Sequence, residues 1–187
     1  METTETKNIL VPVADSSEEL ETVAIVDVLR RTDARVVFAS VDGPQVTGSK
    51  GVKLVTDCLL SQCLDRTYDL IVLPGGMPGA EHLRDAEGLT AMLQRQRDEG
   101  RLYAAICCAP VVVFHPHGLL KGRRFTCHPN FANLTGDQKP VDETVVVDGN
   151  LVTSRGAGTA VEFALKLVEL LYGRQKRNEV AQGMVLP

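Results

Sequence analysis

No cluster of lysine and arginine large enough to make a basic face occurs in this chain of 187 residues, and its net charge is −4. Holding nucleic-acid phosphates needs such a face, so no nucleic-acid partner is expected. No apolar stretch approaches the roughly 20 residues that span a bilayer, so no membrane partner is expected either. Met1 to Lys7 is polar and lacks the apolar core of a signal peptide. A cytoplasmic setting follows, in which Cys58, Cys63, Cys107, Cys108 and Cys127 read as reduced thiols rather than a disulfide frame. Cys58 and Cys63 have no second pair at metal-ligand spacing, so no metal site is expected. His115-Pro116-His117 has no carboxylate or cysteine beside it and reads as a surface helix end; His82 reads as an exposed turn residue. Repeats, linkers and low-complexity tracts are also missing, and residues 1–187 read as one domain.

What is present is an ordinary globular composition, 44% hydrophobic and 24% charged, in a chain long enough for a sizeable core. The most informative stretch is Tyr103-Ala104-Ala105-Ile106-Cys107-Cys108-Ala109-Pro110. An apolar run ends at a cysteine pair, then a proline opens another apolar segment. This predicts a buried strand, a sharp turn and a helix with Pro110 near its first position. Such an elbow lifts its turn residue to the sheet edge and aims free helix N–H groups at it. Cys107 is therefore a candidate nucleophile, with helix-end potential favouring thiolate. The alternative is a small buried hydrophobe.

The remaining pattern alternates strands and helices. Asn8 to Ala14 predicts a first strand with an irregularity or ladder gap at Pro12. Ser16 and Glu19 have capping-box spacing, predicting a helix that runs to about Arg31. Glu21 shares a stripe with Ile25 and Val28. If buried it would hold its proton; the pattern alone favours a solvated acid in the first turn. Strands are expected at Arg35–Val41 and Asp69–Leu73, with a short strand or hairpin arm at Gly51–Thr56. Helices are expected at Leu59–Asp65 and Asp85–Glu99, the latter capped by Gly100. After the elbow helix, ending near Pro116, come a strand at Arg124–Cys127 and an irregular connection to Asp142. A hairpin through Asp148-Gly149-Asn150, a helix at Thr159–Tyr172 with a core face around Leu165 and Val168, and a last short helix at Gln175–Gln182 follow.

This order implies an α/β fold with a mainly parallel sheet covered on both faces, whose ligands bind beyond the strands' carboxyl ends. Pro74-Gly75-Gly76-Met77-Pro78-Gly79 closes one strand. Its spacing fits neither a phosphate loop nor a dinucleotide turn, but its free N–H groups could hold an oxyanion; the alternative is a plain turn. Topology gathers Glu21, Gly75, Gly76, Cys107, Cys108, His128 and Arg155 along one rim. Arg155 would bind a substrate carboxylate or oxyanion, or pair with a neighbouring acid. Cys58, Cys63 and Cys127 read as packing or surface thiols.

Glu18-Glu19-Leu20-Glu21-Thr22-Val23, Tyr68 to Gly76, Ala104-Ala105-Ile106-Cys107, Thr126-Cys127-His128-Pro129 and Thr153 to Thr159 resemble the ThiJ/PfpI superfamily, in the branch of the Parkinson-disease-associated protein deglycase. The resemblance implies a flavodoxin-like sandwich and a homodimer. It also implies a nucleophile at Cys107, a protonated glutamate bonded to that sulfur at Glu21, oxyanion N–H groups at Gly76 and Cys108, and a nearby histidine at His128. Implied activities need no cofactor: conversion of methylglyoxal to lactate, or repair of early glycation adducts. A redox-sensing, stress-protective chaperone role through sulfinate at Cys107 is the alternative; a vestigial site is the third reading. The chain departs from the pattern in three ways. Cys108 stands where alanine or, in proteases, histidine follows the elbow cysteine. No His-x-Glu pair of a glutamine amidotransferase is present. Gly48 and Val55 stand where the branch has its other well-known cysteines. Cys108 also raises the possibility of a vicinal thiol reacting with Cys107, although adjacent cysteines rarely form an unstrained disulfide.

Overall fold

A computed structural model describes residues 6–186; most of the Met1 to Lys7 segment lies outside them. Seven strands form one sheet in the order β5 (Cys58–Leu59), β2 (Arg35–Ser40), β1 (Asn8–Val13), β6 (Leu70–Leu73), β7 (Leu102–Ile106), β9 (Leu151–Ser154) and β8 (Val145–Asp148). All neighbours are parallel except the β8–β9 hairpin, which turns at Gly149-Asn150. Period-two alternation divides the strands between two cores. Ile9, Val11 and Val13 pack under α1 (Glu19–Arg30), α4 (Ala160–Tyr172) and α5 (Arg174–Gly183) with Ile25, Phe163, Leu165 and Val168. Leu10, Ile71, Leu73, Tyr103 and Ala105 pack on the other face against α2 (Gly79–Asp85), α3 (Leu89–Asp98) and the segment after β7. The architecture is a flavodoxin-like three-layer sandwich.

Pro12 is accommodated because β6 pairs with β1 only at Ile9 and Leu10, leaving one side of the ladder open above them. Several expected boundaries shift. Ser16 takes a left-handed φ of 67° and does not cap α1; Glu18 does, its side chain accepting the Glu21 N–H at 2.7 Å. The expected loop after β2 holds β3 (Gln45–Thr47), which pairs with β4 (Lys53–Val55) as a separate hairpin. Leu59–Asp65 shrinks to β5 and a 3-10 turn at Leu60–Gln62. The Asp85–Glu99 helix starts at Leu89 instead, because Ala86–Gly88 breaks it from an unforeseen α2. Arg124–Cys127 is extended but not a strand; its Thr126 N–H bonds the Thr153 side chain at 2.9 Å instead of a ladder partner. His82 is exposed, but on α2 rather than in a turn.

Candidate active site

The order of strand addition reverses at β1, with β2 on one side and β6 on the other, and three chain segments leave the sheet's carboxyl edge side by side. α1 begins after β1, the Pro74–Gly79 turn follows β6, and the cysteine pair follows β7. Such a switch point opens a crevice. Cys107, half-buried, packs against the cores on both faces of the sheet.

Cys107 has φ 66°, a left-handed conformation that a non-glycine residue adopts only when its surroundings hold it there. Its N–H bonds the Ser154 carbonyl at 3.0 Å and its own carbonyl accepts the His128 N–H at 2.8 Å. The side chain is thereby turned toward Gly75. A methyl group on Gly75 would lie 2.6 Å from Cys107 Cβ, 3.1 Å from its Sγ and 3.1 Å from Glu21 Oε2. Only glycine permits that approach. Gly76 has φ 93°, and a side chain there would strike the backbone of Ser16, Ser17 and Glu18.

Glu21 is fully buried, not solvated as the pattern of residues favoured. The Gly75 N–H donates to its Oε2 at 2.8 Å, while Oε1 is buried with no partner. Burial, followed by the charge of Cys107, pushes its carboxyl up to about 9, so it carries a proton at neutral pH. Cys107 Sγ adjoins that neutral acid: Sγ and Glu21 Oε2 each lie 3.1 Å from the position of a Gly75 methyl. Oε1 looks toward His128: the position of a Gly156 methyl would be 3.4 Å from His128 Cδ2 and 4.0 Å from Oε1. His128 Nδ1 accepts the Asn130 N–H at 3.2 Å, which assigns the proton of a neutral ring to Nε2.

The elbow itself differs from the expected device. Pro110–Phe114 is a five-residue π turn, with the His115 N–H reaching back to the Pro110 carbonyl at 3.0 Å. The Val111 and Val112 N–H groups both bond the Cys108 carbonyl, at 3.0 and 2.8 Å. They do not point at Cys107, and so short a turn has little macrodipole. The two adjacent thiols instead shift in opposite directions. The hydrogen bond with Cys108, then burial, pushes the Cys107 thiol up, and the same bond pulls Cys108 down. The expectation of a thiolate made by a helix end is corrected accordingly. Cys108 is buried, its thiol donating to the Gly76 carbonyl at 3.6 Å.

A cysteine at a strained strand-end turn thus stands beside a neutral buried glutamate under a Gly-Gly turn. Residues 7–170 match the model of the DJ-1/PfpI family. This chain belongs to that family. DJ-1/PfpI relatives include dj-1beta of Drosophila melanogaster, 40% identical over 96% of this chain and 97% of that protein. The glutathione-independent glyoxalase DJR-1.2 of Caenorhabditis elegans is 37% identical over 95% of both chains. DJ-1 homologs B and A of Arabidopsis thaliana are 48% and 44% identical over 97% of this chain, which spans only 42% and 47% of their length. Among solved structures, oxidized DJ-1 of Toxoplasma gondii superposes with a TM-score of 0.94 at 44% identity, covering 97% of this chain and 99% of that one.

Direct contacts link Glu21 with Gly75, Gly75 with Cys107, Gly76 with Cys108, and Cys107 with His128. Arg155 stands slightly apart. It pairs with Asp142 and lines a cleft of about 250 Å3 with Cys127, Pro129 and Val141, so its neighbouring-acid reading is the one realised. Two contributors escaped the sequence reading: Glu18, which caps α1 and bonds the Gly75 carbonyl through its N–H at 2.9 Å, and Gly156, which keeps the His128 side open. Glu18 was masked by the Ser16–Glu19 capping spacing, and Gly156 by lying in an unremarkable glycine turn. Among the described residues, no three histidine, cysteine or acidic groups cluster to hold a metal, and no helix is long and apolar enough to cross a membrane.

Proposed function

We propose that this chain is a cofactor-independent glyoxalase that converts methylglyoxal to lactate. The observation that carries the reading is Glu21, a neutral buried acid beside the sulfur of a cysteine held at a strained turn. The name of DJR-1.2 supports the same reaction class.

Cys107 Sγ attacks the aldehyde carbon, and its proton is released to water. The new C–S bond leaves negative charge on the former carbonyl oxygen. Backbone N–H groups of Gly76 and Cys108 hold that charge, and Glu21 gives it a proton, completing the hemithioacetal. Glu21, now a carboxylate with Gly75 N–H on one oxygen, takes the proton from the substrate carbon bearing sulfur. Glu21 returns that proton to the adjacent carbon, and the hydroxyl proton on the sulfur-bearing carbon passes to the neighbouring oxygen. One carbon is thereby oxidised and the other reduced, with no external oxidant. The product is a lactoyl thioester, which water hydrolyses to lactate and free Cys107. His128, protonated on Nε2, orients the substrate oxygens. Early glycation adducts are the second substrate class, since their hydroxyl-bearing carbon derives from the same aldehyde.

The test is lactate formation by Cys107→Ala and Glu21→Gln. We expect the first to abolish turnover and the second to lower kcat by about 100-fold. Undiminished lactate from Cys107→Ala overturns the mechanism.

The partnerless Glu21 Oε1 favours one second reading, a peroxide sensor. Oxidation of Cys107 to sulfinate by two equivalents of peroxide would supply oxygen acceptors for the Glu21 proton. Gain of two oxygens on Cys107, with negligible dicarbonyl turnover, selects this reading. For either role we propose a homodimer across exposed Leu20, Val23, Val52 and Val55 at the start of α1 and the β3–β4 hairpin. Val55→Asp would then shift the sedimentation coefficient to that of a monomer.

A further inference from the structure

Two thiol pairs occur in the chain, and they differ in what they can form. Cys107 and Cys108 are adjacent in sequence, with Cα atoms fixed about 3.8 Å apart, closer than a relaxed disulfide allows. Cys58 and Cys63 are not so constrained. Cys58 lies in edge strand β5, and Cys63 follows the Leu60–Gln62 turn that folds back beside it. Their sulfurs are 3.6 Å apart and both are free thiols. The turn is held from inside: the Cys63 N–H donates to the Leu60 carbonyl at 2.8 Å and the Leu59 N–H to Gln62 Oε1 at 3.0 Å. The sulfurs are in van der Waals contact, so forming a bond between them needs an approach of about 1.6 Å.

The members of the pair are unequal. Cys58 is half-buried and can be reached from solvent, whereas Cys63 is fully buried. The hydroxyl of Tyr68 is also buried, has no partner within hydrogen-bond distance, and lies beside Cys63. A thiolate at Cys63 would give that hydroxyl an acceptor. β5 stands four strands from β7, roughly 19 Å across the sheet, so this pair is separate from the Cys107 site.

We propose that Cys58 and Cys63 are a second redox site, which a low-molecular-weight disulfide such as glutathione disulfide converts to a reversible intramolecular disulfide. Burial and the neighbouring Cys63 push the Cys58 thiol up to about 11; it gives its proton to solvent as it attacks one sulfur of the reagent, forming a mixed disulfide and releasing one glutathione thiolate. Cys63 then attacks the Cys58 sulfur and displaces the second glutathione, which carries away the Cys63 proton. Two protein thiols are oxidised, one glutathione disulfide is reduced to two thiols, and excess glutathione reverses both steps.

The experiment uses the full chain carrying Cys107→Ala and Cys108→Ala, treated with glutathione disulfide and followed by intact mass and peptide mapping. The expected result is loss of two hydrogens with a reducible Cys58–Cys63 cross-link and no retained glutathione. Adding Cys63→Ser should trap glutathione on Cys58, and adding Cys58→Ser should leave Cys63 unmodified. Circular dichroism on each variant confirms that the fold persists, and Cys63→Ala serves if Cys63→Ser does not fold. In the otherwise wild-type chain, Cys58→Ser should leave lactate formation unchanged, which separates this proposal from the glyoxalase reading. Glutathione that persists on Cys58 while Cys63 is intact, or a pair that stays reduced throughout, overturns it.

Discussion

Glu19 and Glu21 stand two residues apart in the first turn of α1, both are buried, and they end in opposite ionisation states. Burial raises both carboxyls, and the difference lies in depth and in the donors that face each one. Glu19 points at the β3–β4 hairpin. Its Oε1 accepts the Lys50 N–H at 2.7 Å and the Val52 N–H at 3.3 Å, and its Oε2 accepts the Ser49 hydroxyl at 3.1 Å. These bonds outweigh desolvation and hold its carboxyl below the usual value. Glu21 points under the elbow, where one backbone N–H faces it and a sulfur that can itself ionise adjoins it. One acid is thus an anionic clamp for a hairpin, the other a proton reservoir for a thiol. Depth and the count of donors together decide which.

The largest break in this comparison is Gly75→Ala. Its methyl would overlap Cys107 Cβ and remove the room Glu21 needs; urea denaturation should show a loss of about 3 kcal/mol, with lactate formation abolished. Glu19→Ala comes next. It strands two backbone N–H groups and the Ser49 hydroxyl, and should cost about 2 kcal/mol in the same measurement, with hairpin amides exchanging faster in deuterium. Glu21→Gln sharpens the contrast through pH. Between about 4.5, the value of the unfolded chain, and about 9, the native acid keeps a proton that the unfolded chain has released. Glu21 therefore stabilises the fold fully below that window, and its contribution falls by up to about 1.4 kcal/mol per pH unit as pH rises through it. Glutamine cannot ionise, so unfolding midpoints of the variant should lose this slope. For Glu19 the sign is reversed: its contribution is present above the unfolded value and is lost as pH falls through the lowered native one. The smallest effect is Ser49→Ala, about 0.5 kcal/mol, which isolates a single donor of the clamp by thermal unfolding.

Much of this arrangement was legible in the residues. The apolar runs at β1, β6 and β7 and the punctuation after them placed Glu21, Gly75-Gly76 and Cys107 at one edge, because strand alternation with helices leaves few topologies. The β3–β4 hairpin was half missed, since Gln45–Thr47 is too short and too polar for a periodic signal; Glu19, from another element, holds it in place. The Ser16 cap failed because the chain there bends to meet Gly76 and Gly79, a contact no local pattern encodes. The helix-end thiolate failed because a proline and three valines in succession suggest a helix start but do not fix its width.

Sequence by itself determined which elements form and in what order, since hydrophobic periodicity and turn chemistry act over a few residues. It also supplied the residue types that make the family resemblance readable. Only the tertiary structure decided that Glu21 is buried and neutral, that Cys108 and burial push the Cys107 thiol up, and that Cys58 meets Cys63 beside an idle tyrosine hydroxyl. Those states depend on desolvation and on single donors such as Gly75, 54 residues away along the chain, and folding alone brings them within hydrogen-bond reach.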